Sequence, residues 1–198
     1  MYFTCTRSNT TAHHFAKIFL ENRFKNSVQG DNVFITVDCT NLTIKEKRPF
    51  NAVYFSHKSN GPAYKYEVAV SIKGGDIVWV SGPWPAAIED KKIFKLHLAK
   101  HLGENERAEV DNGYSKTAKA AVPAAGETFL HKKGKAQARS RQEIHNGLFK
   151  CFHSLQDRFR ELDPEKHCLA FNAVAILTQL SKDHGEQLYD VSVVGKYH

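Results

Sequence analysis

The feature that most constrains this chain is the alternating stretch at residues 64–72, together with the glycine pair just after it. Tyr64, Tyr66, Val68, Val70 and Ile72 alternate with Lys65, Glu67, Ala69 and Ser71, the period of two by which a strand presents two distinct faces. Gly74-Gly75 is a two-residue hairpin signal. Residues 77–80 supply the partner strand, and Gly82-Pro83-Trp84-Pro85 ends it, because proline cannot continue a ladder. Around this pair, the pattern predicts a helix over 12–25, with Phe15, Ile18, Phe19 and Leu20 on one face, and a turn at Ser27-Val28-Gln29-Gly30-Asp31-Asn32. A short, β-branched, buried-type strand is expected over 33–37 and a second strand over 52–55. A helix over 89–102 stops at Gly103, and a short strand covers 108–110. Residues 127–135 read as a last short strand and basic loop. A helix over 140–155 has Ile144, Leu148, Cys151, Phe152 and Leu155 as its apolar stripe. Another helix over 166–182 and a tail strand at 189–194 complete the pattern. Hairpins and crossover connections together make this an α/β (α+β) chain, a coarse pattern that several α+β folds satisfy.

Three carboxylates stand in settings that hold them still. Asp38 closes the run Val33-Phe34-Ile35-Thr36-Val37, Asp111 closes the next short strand before Asn112-Gly113, and Glu143 opens the helix at 140–155. Two strand ends and a helix, in the order Asp, Asp, Glu, suit a two-metal phosphoryl-transfer site, since magnesium takes hard oxygen ligands. Each acid also has a purely structural account. Asp38 can bond the following loop through Thr40, Asp111 can make an Asx-type turn, and Ser140-x-x-Glu143 is a capping box. Asp90, at the start of the helix over 89–102, reads as an N-terminal helix acid beside the site, not a ligand.

The stretches TVDCTNLTI, HKSNGPAYKYEVAVSIKGGDIVWVSGPWP, EDKKIF, ERAEVDNGY and RSRQEIHNGLFK, in that order, resemble the DDE-superfamily transposase endonucleases, close to the PIF/Harbinger-like group, over roughly residues 21–194. The resemblance implies an RNase H-like mixed sheet flanked by helices, with residues 1–30 an N-terminal helical segment and 31–198 the endonuclease catalytic domain. It implies Asp38, Asp111 and Glu143 as the catalytic, metal-binding acids for two Mg2+ or Mn2+ ions, cutting and joining DNA by in-line displacement. Residues 112–142 between the second and third acids are slightly fewer than the family's usual interval. His57 and Lys58 resemble a family His-Lys pair expected at phosphate. Full-length members usually carry an N-terminal helix-turn-helix region, for which the residues before the first strand are too few. The chain is therefore expected to be a fragment, a decayed copy, or a unit relying on a separate DNA-binding partner protein. A catalytically idle or domesticated DNA- or protein-binding module is the alternative, with a plain RNase H-like nuclease behind it.

Composition points the same way. Lys and Arg number 28 against 21 Asp and Glu, a net charge of +7, which suits a polyanionic partner. Lys132, Lys133, Lys135, Arg139 and Arg141 form a dense basic run before Glu143, expected to grip the DNA backbone. Trp79, Trp84 and Tyr114 are expected in the core, not as base-stacking platforms. Cys5, Cys39, Cys151 and Cys168 contain no C-x-x-C pair and read as reduced thiols. The spacing of Cys151, His153, His167 and Cys168 does not suit zinc. No secretory apolar segment and no run approaching ~18 apolar residues is visible. The expectation is an intracellular, nuclear protein with no membrane contact, Lys132-Lys133-Gly134-Lys135 being a weak import signal and the sequons at Asn9 and Asn41 chance matches. Several oligomeric states are compatible with the sequence.

Overall fold

The computed structural model describes residues 18–122 and 129–185. Much of the helix expected over 12–25, and the whole tail strand expected at 189–194, lie outside the described residues. What is described of the first segment is a 3-10 turn, Leu20–Phe24. Its inward residue is not apolar: Arg23 is buried and forks onto Glu106, Nε–Oε1 2.7 Å and Nη2–Oε2 3.2 Å, while Phe19 is exposed. A buried charge is tolerated here because a buried opposite charge meets it.

The strands are β1 (Val33–Thr43), β2 (Phe55–Ser56), β3 (Gly61–Ser71), β4 (Ile77–Pro85), β5 (Arg107–Glu109) and β6 (Ala120–Ala121). The helices are α1 (Asp90–Leu96), α2 (Phe129–Phe149), α3 (His153–Gln156) and α4 (Pro164–Asp183). The sheet runs β2-β3-β1-β5-β6, with β4 also paired to β3. The β1–β3 and β3–β4 pairs are antiparallel, and β1–β5 and β5–β6 parallel. This mixed six-stranded sheet flanked by helices agrees with the RNase H-like architecture expected.

Both faces of β3 are covered. Tyr64, Tyr66, Val68 and Val70 meet Phe149, Leu155, Phe171 and Val174 from α2, α3 and α4. Tyr66 stacks on Phe171 at 3.9 Å between centroids. On the opposite side Ile35, Val37, Ala69 and Val78 pack against Phe94, Leu98, Val110 and Tyr114. The two-faced alternation is therefore real, but the polar face is indoors. Lys65 is buried, with Nζ 2.6 Å from Asp90, and Glu67 has no exposure.

Several elements depart from expectation for identifiable reasons. β1 continues six residues past Val37 because the β3 ladder holds it through Thr43↔Ala63. Residues 52–54 form a 3-10 turn capped by Asn51, whose side chain accepts from the Val53 N–H at 3.1 Å, so only Phe55–Ser56 is extended there. The β3–β4 connection spans residues 72–76, not two glycines, since Ser71 Oγ takes the Asp76 N–H and Asp76 itself is tied to Gln179 and Lys182. β4 runs through Pro83 to Pro85, tolerable on a strand with one partner. Gly82 is required there: φ is +155°, and a Cβ would lie 2.5 Å from the Tyr66 ring.

The largest correction is α2. It begins at Phe129, in place of the expected strand and basic loop, so Ser140 lies inside the helix and caps nothing. Its buried residues include Ala138, Gln142, His145 and Phe149, a helical i, i+4, i+7, i+11 face in which two of the four side chains are polar.

Candidate active site

β1 and β5 run parallel, but their ladder stops at Thr36↔Glu109, while on the other side β1 stays paired to β3. The sheet therefore opens beside residues 37–38 and 110–111, outside the carboxyl end of β5, where α/β sheets gather ligands. A cleft of about 230 Å³ occupies that opening. Thr36, Val37 and Asp38 line it from β1, Glu109, Val110 and Asp111 from β5 and the turn after it, Lys58 from the β2–β3 turn, and Arg139, Gln142 and Glu143 from α2. The three acids singled out in the sequence, far apart along the chain, thus border one cavity.

Their settings differ. Asp38 is half-buried, and Oδ2 accepts from the Asn146 side-chain N–H at 2.8 Å. Burial pushes its pKa up, opposed by the Cys39 backbone N–H and Lys58 and reinforced by the charges of Asp90 and Asp111. Asp111 is exposed and caps the 3-10 turn Asn112–Tyr114, with Oδ1 accepting from the Gly113 N–H at 2.9 Å. The Asx-type turn is therefore present, in a residue that also borders the cleft. Glu143 is exposed in the middle of α2, without the capping competition that a helix start would impose.

Gln142, one residue before Glu143, fixes the helix to the sheet. Its Oε1 accepts from Thr36 Oγ1 at 2.8 Å, and its Nε2 donates to the Val68 carbonyl at 3.3 Å. Glu109 adds a fourth acid to the wall. It is buried, 3.3 Å from Arg139 and 3.5 Å from Lys135, and burial raises its pKa against the pull of those two cations. Sequence reasoning missed Glu109, Gln142 and Asn146. Glu109 had a signal, since it is a second carboxylate two residues before Asp111, at the end of the short strand that leads to it.

The basic residues divide. Lys132 and Lys133 are exposed on α2, and Arg139 is partly exposed. Lys135 is buried against Glu109, and Arg141 donates through Nη1 to the Ile72 carbonyl at 2.6 Å, so both serve the fold. Lys58 is exposed on the cleft rim, and His57 is exposed with its ring against Phe55. Asp90 opens α1 and pairs with Lys65. Trp84 and Tyr114 are buried, and Trp79 is half-buried, donating to Glu67 at 3.0 Å.

Among the described residues, no three His, Cys, Asp or Glu side chains are gathered closely enough to form a metal site as they stand. The donor set nevertheless suits a hard divalent cation: only oxygen ligands come from the three acids, and one of them, Asp38, bears an electrostatic load that a cation would relieve. No helix of the described residues is long and apolar enough to cross a membrane. Neither curated proteins nor solved structures give a match to the chain. Residues 37–179 match the family described as DDE superfamily endonuclease, a span that takes in all three acids and most of the chain, and the protein belongs to that family.

Proposed function

We propose that this chain is the catalytic domain of a divalent-metal-dependent DNA endonuclease of the transposase type, close to the PIF/Harbinger-like group, with residues 31–198 as the catalytic domain and 1–30 a segment preceding it. The observation that carries the reading is the meeting of Asp38, Asp111 and Glu143 around one cleft in a member of this family. These three would hold Mg2+ or Mn2+. When bound, two such ions supply a Lewis acid for the phosphate and a nucleophile of lowered pKa.

The chain's own groups do the rest. Asp38, on a strand paired along its length to β3, presents its carboxylate from a rigid base. Asp111 spends Oδ1 on the Gly113 N–H, which holds the side chain in place, and its other oxygen would be the one to take a ligand. Glu143 approaches from α2, whose register Gln142 sets. Lys58, at the rim, would take a phosphate oxygen of the scissile strand, and His57 beside it would extend that contact. Lys132 and Lys133 would follow the backbone beyond the cleft and Arg139 would meet it at the cleft wall, giving affinity without sequence preference. The site of action would be the nucleus.

The test is nicking of a supercoiled plasmid in Mg2+ or Mn2+, with Asp38→Asn as the comparison. Wild type should nick and the variant should not, while DNA affinity stays equal or rises slightly from reduced repulsion. Nicking at full rate by Asp38→Asn would defeat the assignment. Tight DNA binding with no nicking by wild type would favour the idle or domesticated reading, which the loss of free approach at Lys135 and Arg141 does not distinguish.

A further inference from the structure

Two amides lie one turn apart on the inward face of α2, and they are used differently. Gln142 is satisfied at both ends, by Thr36 and by the Val68 carbonyl. It is a strut between helix and sheet. Asn146 donates from Nδ2 to Asp38 Oδ2 at 2.8 Å, and its Oδ1 is buried with no partner among the described residues. A buried amide oxygen without a donor costs stability, and an apolar side chain would avoid that cost. The fold thus keeps an amide whose hydrogen bond goes to one of the three cleft acids.

We propose that Asn146 is a positioning residue for the cation site, acting through Asp38. This deepens the reading above and rests on it. With Oδ2 held by the Asn146 N–H, the Asp38 carboxylate is kept in one orientation at the cleft wall, and a cation would meet it already positioned. The same contact fixes the spacing between two acids. Asn146 is three residues after Glu143, on the adjoining helical row, so one helix both carries the third acid and grips the first. A hydrogen-bond donor to a ligating carboxylate characteristically raises metal affinity by tenfold to a hundredfold.

The test reads Mn2+ binding by calorimetry on the full chain without DNA, so that cleavage plays no part. Asn146→Leu, near in volume and unable to donate, should weaken Mn2+ binding roughly tenfold or more. Asn146→His, able to offer an N–H from Nδ1 at similar reach, should recover much of it. In an Asp38→Asn background, Asn146→Leu should have no further effect, because a residue that acts through Asp38 has nothing left to act on. Unfolding midpoints of the variants separate folding from binding. Unchanged Mn2+ affinity in a folded Asn146→Leu, or an equal loss in both backgrounds, would overturn the role of Asn146 and leave the proposed endonuclease standing. No Mn2+ binding by wild type would overturn both.

Discussion

Replacing Glu67 by glutamine should stabilise the protein at neutral and mildly alkaline pH. Glu67 sits on β3 between Cys39 of β1 and Ser81 of β4 and has no exposure. Its Oε2 accepts from Trp79 Nε1–H at 3.0 Å, and Oε1 has no partner among the described residues. Burial pushes its pKa up to about 8; the Trp79 N–H opposes the rise and the Asp90 charge adds to it. Unfolded, the group titrates near 4.5. Between those values the native chain keeps a proton that the unfolded chain has lost, so stability falls as pH rises from about 4.5 to about 8. At about 1.4 kcal/mol per unit, the full loss is on the order of 4–5 kcal/mol. Glutamine carries no charge at any pH and can still accept from Trp79, at the cost of one unpaired amide donor, about 1–3 kcal/mol. Near pH 5 the wild type should be the more stable, by no more than that cost, and the order should reverse by pH 8. Urea unfolding, followed by tryptophan fluorescence at unit pH steps, measures the difference directly. Parallel stability profiles for the two proteins across pH 5–8 would refute the reasoning, because no other residue has been changed.

Stability and salt titrations check the remaining consequences. Burial lowers the pKa of His167 from 6.5 to about 4. The unfolded chain takes up a proton first as pH falls, so stability should drop by about 3 kcal/mol over that interval, and His167→Gln should flatten the acid limb. Arg23→Ala strands a buried Glu106 and should cost about 3–5 kcal/mol, with Arg23→Ala/Glu106→Ala costing less than the sum of the two single changes. In DNA binding titrated with salt, Lys132→Ala/Lys133→Ala should lower the slope of log affinity against log salt by about 1.8 if both contact phosphate. Lys135→Ala, whose partner is Glu109, should lower the unfolding midpoint and leave that slope unchanged.

Much of the frame can be read along the chain because local signals and tertiary demands agree. The β-branched run before Asp38 is a buried strand, the alternation from Tyr64 is one too, and the helix expected over 166–182 is α4, which starts two residues earlier because the Asp163 side chain accepts from the Glu165 N–H. Asp111 makes the Asx-type turn its sequence suggests and also borders the cleft. The misses share one cause. Periodicity treats polar residues as outward, and Glu67, Gln142 and Asn146 turn inward, each meeting a partner far along the chain or across the sheet that periodicity cannot show. Pattern alone therefore assigns α2 a face through Ile144 and Leu148 and a start at Ser140, and gets both wrong. Lys135 and Arg141 read as part of a basic run gripping DNA for the same reason, although Glu109 and the Ile72 carbonyl draw them in.

The clamp that Gln142 makes on β1 and β3 changes what spacing means in this protein. With Gln142 bonded to Thr36 and Val68, the rotational phase of α2 is set within one turn of Glu143. The number of residues separating Asp111 from Glu143 then matters little, since added length ahead of the clamp leaves the acid where it was. A single residue inserted between Gln142 and Glu143 would matter greatly: it would turn the acid about 100° around the helix and carry it out of the cleft. The place of Glu143 at the cleft is thus guarded by the helical phase from Gln142 to Asn146, and not by the length of the segment that leads to it.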